Sequence, residues 1–443
     1  MSLGLKNKIG LLGGVGIVVG GVIGMGTFVL IPAIVDKAGP AAWLAITIAL
    51  VVSILSILPT IQLSSAMPIA GGGFEYCRRL LSPYAGFLVS WLAVIAGACT
   101  LSLISIGLME QFKEFLPSFL PPHIAAMCFV AAFYLFYLLG LQIVTMVQVV
   151  FCLQLLISLF MYFVPILASK NFVLHATMPE TPNFILAVIF SSNICLGFQI
   201  IIELGEEMKN PGKNIPLALL IGGSIVLLVY LCVTFAYISS VGLMHTSEKI
   251  NLISTALPYY SAAGIAFIRL GVISSGLASY SGGAVALPRE LYAMARAKAL
   301  PQYFEHVDKG GNPSRAVGLF FGIVLVILGI GNALEYAGFV ENYFGPDVIE
   351  FYAFLAIFGI MIMTLVMSIA ALRLPTKMAA EYAAAYIRLP KWLLYGLCIL
   401  SVTSSSLLMA VISTKIIVIW IYLVILGLVT ALYYAYSRKR IEL

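Results

Sequence analysis

Twelve stretches of this chain are apolar, nearly free of charge and close to membrane length, covering approximately residues 9–35, 41–66, 84–111, 122–141, 143–167, 183–205, 215–241, 262–286, 316–331, 348–372, 391–413 and 415–437. A helical crossing of the hydrocarbon layer needs about 20 apolar residues, so the pattern predicts an all-α integral membrane protein of twelve spans. Composition agrees: 62% of the chain is hydrophobic and 9% charged, against roughly 25% charged in a soluble domain. No stretch is polar enough to form a soluble domain. The net charge of +6 is therefore read by position and not as a nucleic-acid footprint.

With the N-terminus placed in the cytoplasm, 18 of the 24 Lys and Arg residues fall on inner loops and ends, among them Arg78, Arg79, Lys209, Lys213, Arg289 and Arg296. The outer side holds 6: Lys37, Lys113, Lys170, Lys249, Arg269 and Lys415. That bias predicts a multi-pass protein of the cell membrane with both termini cytoplasmic. The first span is too long for a signal-peptide core, so no cleavable leader is expected. The 7 cysteines form no Cys-x-x-Cys pair and the 4 histidines lie in loops. Disulfide, metal and catalytic roles are not expected of them.

Two of the apolar runs are interrupted in matching places. Val18 to Phe28 contains Gly20, Gly21, Gly24 and Gly26, while Phe190 to Phe198 contains Ser191, Ser192, Asn193 and Gly197 and runs on to Glu203, Glu206 and Glu207. A broken helix exposes N–H and C=O groups that lipid cannot satisfy, so each break must line a cavity or a site. Paired breaks, one near the start of each half, are the pattern of a transporter with its site at the membrane midplane. Taken singly, either glycine cluster also fits a close-packing notch between helices.

Four patches carry a resemblance to the amino acid–polyamine–organocation (APC) superfamily. They are Gly21-Val22-Ile23-Gly24-Met25-Gly26-Thr27-Phe28 with Pro32 and Ala38-Gly39-Pro40; Met67-Pro68-Ile69-Ala70-Gly71-Gly72-Gly73-Phe74-Glu75-Tyr76; Gly197-Phe198 with Glu206 to Pro211 and Ile215-Pro216; and Arg289, Tyr292 to Arg296 and Leu300-Pro301. The resemblance spans residues 21–301 in order; beyond that it rests on span count. It implies a 5+5 inverted repeat with helices 1 and 6 broken. The first repeat would occupy residues 1–167, the second 183–372, and two further spans 391–443, as one transport domain. It also implies secondary transport of amino acids or related amines by alternating access, not enzymatic chemistry.

A zwitterionic amino acid needs an anion site and a cation site a few ångströms apart. The outer half of span 1 begins with free N–H groups at the positive end of a half-helix dipole. The substrate carboxylate is therefore expected on the N–H groups around Gly24, Met25 and Gly26. From the family motif, the ammonium is expected near the carbonyls of Val22, Asn193 and Leu196, beside Ile194 and Gly197. The walls would be Gly97, Ala98, Cys99, Ser102, Ser279, Tyr352 and Phe354. None carries a charge, which favours a neutral substrate over a cationic amino acid or polyamine.

Departures from the family bear on the driving ion. Asn193 and Cys195 stand where aromatics are frequent, and Asn193 fits either a ligand contact or a cap on the broken helix. Gln199 replaces a common acid, and the mid-span lysine of some relatives is absent from span 5, where Gln148 and Gln154 are the nearest polar residues. Ser275 and Ser279, with Ser274 and Ser281, could hold sodium against helix-1 carbonyls or bond their own helix. Glu203 reads either as an intramembrane coupling acid or as a hydrated acid near the inner mouth. Glu206 and Glu207 are expected to latch an inner gate to Arg78, Arg79 or Arg289. Symport with H+ or Na+ and pure exchange all remain open. No cofactor, metal, nucleic acid or obligatory protein partner is implied, only substrate and bilayer. The rival classes are a channel and a non-transporting receptor. A channel would need a continuous polar path, whereas polar groups here gather at the two breaks.

Overall fold

The computed structural model describes residues 9–24, 26–69, 71–112, 117, 120–138, 141–170, 172–173, 178–179, 183–193, 197–198, 201, 208–243, 252–308, 312–344, 348–412 and 416–437. Helix occupies every apolar run. The first run is two helices, α1 (Leu11–Val22) and α2 (Gly26–Ala38). There follow α3 (Ala42–Ala66), a short α4 (Gly72–Leu80), α5 (Pro83–Gln111), α6 (Pro122–Tyr137) and α7 (Leu141–Leu167). Among the described residues of the sixth run lies α8 (Phe184–Asn193). The remaining helices are α9 (Pro211–Leu243), α10 (Leu252–Ala256), α11 (Ala262–Ala286), α12 (Pro288–Arg296), α13 (Ser314–Tyr336), α14 (Phe339–Tyr343), α15 (Val348–Lys377), α16 (Ala379–Ala384), α17 (Lys391–Ile412) and α18 (Ile416–Leu432). Among the described residues 9 helical stretches are long and apolar enough to cross a membrane. The only non-helical pairing among them is a parallel bridge between Ile9 and Met208.

Local chemistry sets several helix starts. Ser82 accepts a hydrogen bond from Ala85 N at 3.2 Å, and Pro83 follows it at the first helical position, where its missing N–H costs nothing. Pro122 and Pro288 open α6 and α12 in the same way.

The spanning helices are apolar on all sides, so burial is decided by position in the bundle and not by a polar face. In the most apolar window of α5, 72% of residues are buried, and in that of α15, 61%. The figures for α17 and α18 fall to 28% and 22%. Thus α5 and α15, which pack along each other, form the centre. The α17 and α18 helices sit at the edge, with Leu407, Trp420, Leu423 and Leu428 outward. Around that centre α1, α7, α9 and α11 pack together, and they enclose the first break.

Candidate functional site

The first break lies where α1 gives way to α2. Ile23 N still bonds back to the Val19 carbonyl at 2.8 Å, but Gly24 N turns to the Val22 carbonyl at 2.8 Å, and Thr27 N reaches Gly24 O at 3.0 Å as α2 begins. The first-turn N–H groups of a new helix have no partner one turn back within it, so the start of α2 is a donor-rich, electropositive end. Met25 lies outside the described residues. Gly24 faces Ser279 of α11: a Cβ here would come within 2.1 Å of the Ser279 Oγ.

The second break follows Asn193, where α8 stops. Ile194, Cys195, Leu196, Gln199 and Glu203 lie outside the described residues, as do the Asn193 side chain, Glu206 and Glu207. Gly197 is described, and its place is informative. A Cβ on Gly197 would sit 2.3 Å from both the carbonyl carbon and the oxygen of Gly21, and 2.6 Å from Val22 N. The two breaks therefore meet main chain against main chain. The flanking segments are joined as well. Lys209 N bonds Ile9 O at 2.8 Å, and a Cβ at Gly14 would lie 2.9 Å from the end of Met208 and 3.0 Å from Ile201.

Several of the expected residues have hydrogen-bond partners of their own. The Val22 carbonyl takes two donors, Gly24 N at 2.8 Å and the Tyr230 hydroxyl of α9 at 2.8 Å. A carbonyl oxygen has two lone pairs, so an ammonium at Val22 competes with Gly24 N and the Tyr230 hydroxyl. Of the two serines expected to hold an ion, Ser279 donates to Gly20 O at 3.3 Å, at the break. Ser275 donates to Val272 O of its own helix at 2.6 Å. Ser281 likewise bonds its own helix, at Leu277 O. The Tyr352 hydroxyl donates to Leu328 O at 3.1 Å, in α13. Cys99 and Ser102 are buried on α5, and the Ser102 hydroxyl has no partner among the described residues. Phe354 stands edge-on to Phe190 of α8 at 6.2 Å, and the Lys37 ammonium lies 4.6 Å over the Phe190 ring.

The acidic half of the expected latch, Glu206 and Glu207, lies outside the described residues; the basic half has these described contacts. Arg78 and Arg79 both pair with Glu75 of their own helix α4, at 2.9 and 2.8 Å. Arg289 is fully buried and donates to the Val285 carbonyl one turn back. His123, expected in a loop, is instead the second residue of α6 and lies 3.4 Å from Glu335.

Sequence reasoning missed Tyr230 and Cys152. On α7, Gln154 is turned away to bond Ser158 and the Phe267 carbonyl of α11, and Cys152 faces span 1 instead. Its Sγ is 3.9 Å from Gly16 O, and a Cβ at Gly20 would meet it at 3.2 Å. The signal for Tyr230 was a polar-tipped ring inside an apolar run; which neighbour it faces depends on helix register.

A small cleft of about 50 Å³, lined by Ser53, Ser56, Ser192, Phe198, Thr364 and Ser405, opens beside the second break. Among the described residues it touches none of the first break. The main-chain junction at Gly21, Val22, Gly24 and Gly197 carries the more specific chemistry: electropositive N–H groups on one side and helix-end carbonyls on the other. No cluster of metal-binding side chains occurs among the described residues.

Comparison with known proteins bears on the family. The sequence model of the family described as Amino acid permease matches residues 13–440. The Large neutral amino acids transporter small subunit 2 of Mus musculus is 25% identical over 369 residues, covering 77% of this chain and 69% of its own. The Serine/threonine exchanger SteT of Bacillus subtilis (strain 168) is 25% identical over 349 residues, covering 74% and 78%. The b(0,+)-type amino acid transporter 1 of Homo sapiens is 25% identical over 390 residues, covering 81% and 76%.

Proposed function

The chain belongs to the amino acid permease family, and from that premise we propose that it is a secondary transporter of neutral amino acids working by alternating access, with its site at the junction of the two breaks. It is a multi-pass membrane protein and a transporter, not an enzyme. The proposed architecture is twelve spans in the cell membrane, both termini cytoplasmic, with residues 1–167 and 183–372 as inverted repeats and 391–443 as an added pair of spans. The observation that carries the reading is the contact of Gly197 with the Gly21–Val22 main chain, because it sets the second break against the end of α1, a few residues before α2 begins.

In this reading the substrate carboxylate rests on N–H groups of Gly24, Met25 and Gly26, stabilised by the dipole of α2. The ammonium meets main-chain oxygens of Val22, Asn193 and Leu196, exchanging with Tyr230 at Val22. Ile194, Gly197 and Cys99 close around the ligand. Ser279, beside the Gly20 carbonyl, is the residue best placed to feel a coupling ion; Ser275 would have to surrender a bond within its own helix. Gln199 and Glu203 remain candidates for coupling on sequence grounds. A neutral substrate is favoured because residues 11–35 and 214–243, which meet at the first break, contain no charged side chain. A buried net charge without a counter-charge is costly.

The test is a thermal-shift screen of purified protein against the twenty amino acids and common amines, with and without sodium. A ligand that binds only the folded state raises apparent stability by mass action, by about 2.7 kcal/mol at a hundred times Kd. Stabilisation by one or more neutral amino acids is expected. Stabilisation by diamines alone, or by none of these compounds, would overturn the reading.

A further inference from the structure

Two hydroxyls beside the first break are buried and unspent. Thr27, in the first turn of α2, and Thr234, in the middle of α9, both have 0% exposure, and neither side-chain oxygen has a hydrogen-bond partner among the described residues. Most threonines in apolar helices return their proton to a carbonyl one turn back, as Thr364 does to Ile360. A buried hydroxyl left without any partner costs about 1–3 kcal/mol, so two of them on facing helices point to something that completes them.

Helix register brings the pair to one place. Along α9, a Cβ at Gly222 would meet Val18 of α1 at 2.5 Å, and Tyr230, two turns on, bonds the Val22 carbonyl. The contacts advance together along both chains, so α9 and the first span run parallel. Thr234 lies one further turn along the same stripe, since residues four apart share a helix face. Its neighbour across the interface is then the first turn of α2, which packs on α9. On α2, Thr27, Ile31 and Ile34 share a face with 0% exposure each, whereas Asp36 is exposed. Thr27 thus belongs to the buried side, with the break one turn away.

The chemistry of this niche selects its occupant. The start of α2 is the positive end of its dipole, which disfavours a cation and favours a group presenting acceptor oxygen. The absence of charged residues from 11–35 and 214–243 disfavours a second ionised group. An apolar side chain would leave both hydroxyls unmet. We propose that Thr27 and Thr234 form a side-chain subsite that selects amino acids bearing a hydroxyl over apolar ones of the same size. The inference rests on the carboxylate placement proposed above, since that fixes where the substrate side chain begins.

The test compares kcat/KM for serine against alanine, and threonine against valine, in proteoliposomes containing wild-type protein, Thr27→Val, Thr234→Val and Thr27→Ser. Valine keeps the shape of threonine and removes only the hydrogen-bonding capacity. The wild type should prefer the hydroxylated member of each pair. One lost hydrogen bond in a buried site is worth about tenfold, so the preference should fall about tenfold in each valine variant and be retained in Thr27→Ser. Calorimetric binding of serine and alanine to the detergent-solubilised variants should show the same change in ratio. A wild type without the preference, or valine variants with an unchanged ratio, as when the hydroxyls hold only an ordered water, would overturn the subsite. Failure of the wild type to take up any amino acid would instead overturn the transport reading.

Discussion

A methyl group added at Gly24 and one added at Gly197 meet obstacles of different kinds. At Gly24 the nearest atom is the Ser279 Oγ, a side chain that can be removed; at Gly197 it is the main chain of Gly21, which cannot. Gly24→Ala should therefore lower uptake at least tenfold, and Ser279→Ala in the same chain should recover most of the loss. Gly197→Ala should lower it as far with no partner substitution that restores it, because the two breaks would have to separate. Initial rates normalised to folded protein in the membrane check both. Rescue of Gly197→Ala by trimming Ser279 would mean that the contact is not main chain on main chain. The glycines themselves were legible in the sequence, since four in seven residues of an apolar run is a local signal. Tyr230, Cys152 and the turning of Tyr352 toward α13 were not, because they depend on which faces of separate helices meet.

At the scale of elements, hydropathy located helices well wherever a helix ends in a change of polarity. The run expected at 262–286 is the helix Ala262–Ala286, and that expected at 41–66 is Ala42–Ala66. It did less well where helix continues into polar sequence: α13 runs on through Asn332, Glu335 and Tyr336, five residues beyond the expected 331. In the sixth run, expected at 183–205, the described helix α8 covers Phe184–Asn193; residues 194–196, 199–200 and 202–205 lie outside the described residues.

The ends of α3 and α9 near Ser65 and Gly212 also show a fastening that composition could not reveal. Ser65 at the end of α3 donates to Gly212 O at 3.0 Å and accepts from Ile387 N at 3.0 Å, while Gln62 accepts from Leu389 N at 2.8 Å. One hydroxyl thus ties α3 and α9 to the segment between α16 and α17. Ser65→Ala would leave Gly212 O and Ile387 N without that partner, and should cost about 1–3 kcal/mol. The unfolding midpoint in detergent should drop accordingly, and an unchanged midpoint would show that water replaces the hydroxyl.

Across the whole molecule, the central pair α5 and α15 is buried deeply enough to act as a fixed wall. The broken spans are tied to each other through Gly197, the Ile9–Met208 bridge and Lys209 N. In the alternating-access cycle proposed above, the two broken spans would tilt together against α5 and α15, opening the junction first to one side and then to the other. The account stands or falls on whether that junction holds the substrate. The most direct measurement is counterflow of labelled neutral amino acids in proteoliposomes, with the wild type beside Gly26→Leu, whose side chain would fill the carboxylate position at the start of α2. Saturable counterflow by the wild type, and its loss in a Gly26→Leu protein that remains folded, is the predicted result. Wild-type rates of saturable counterflow in Gly26→Leu, or flux in the wild type that never saturates, would contradict it.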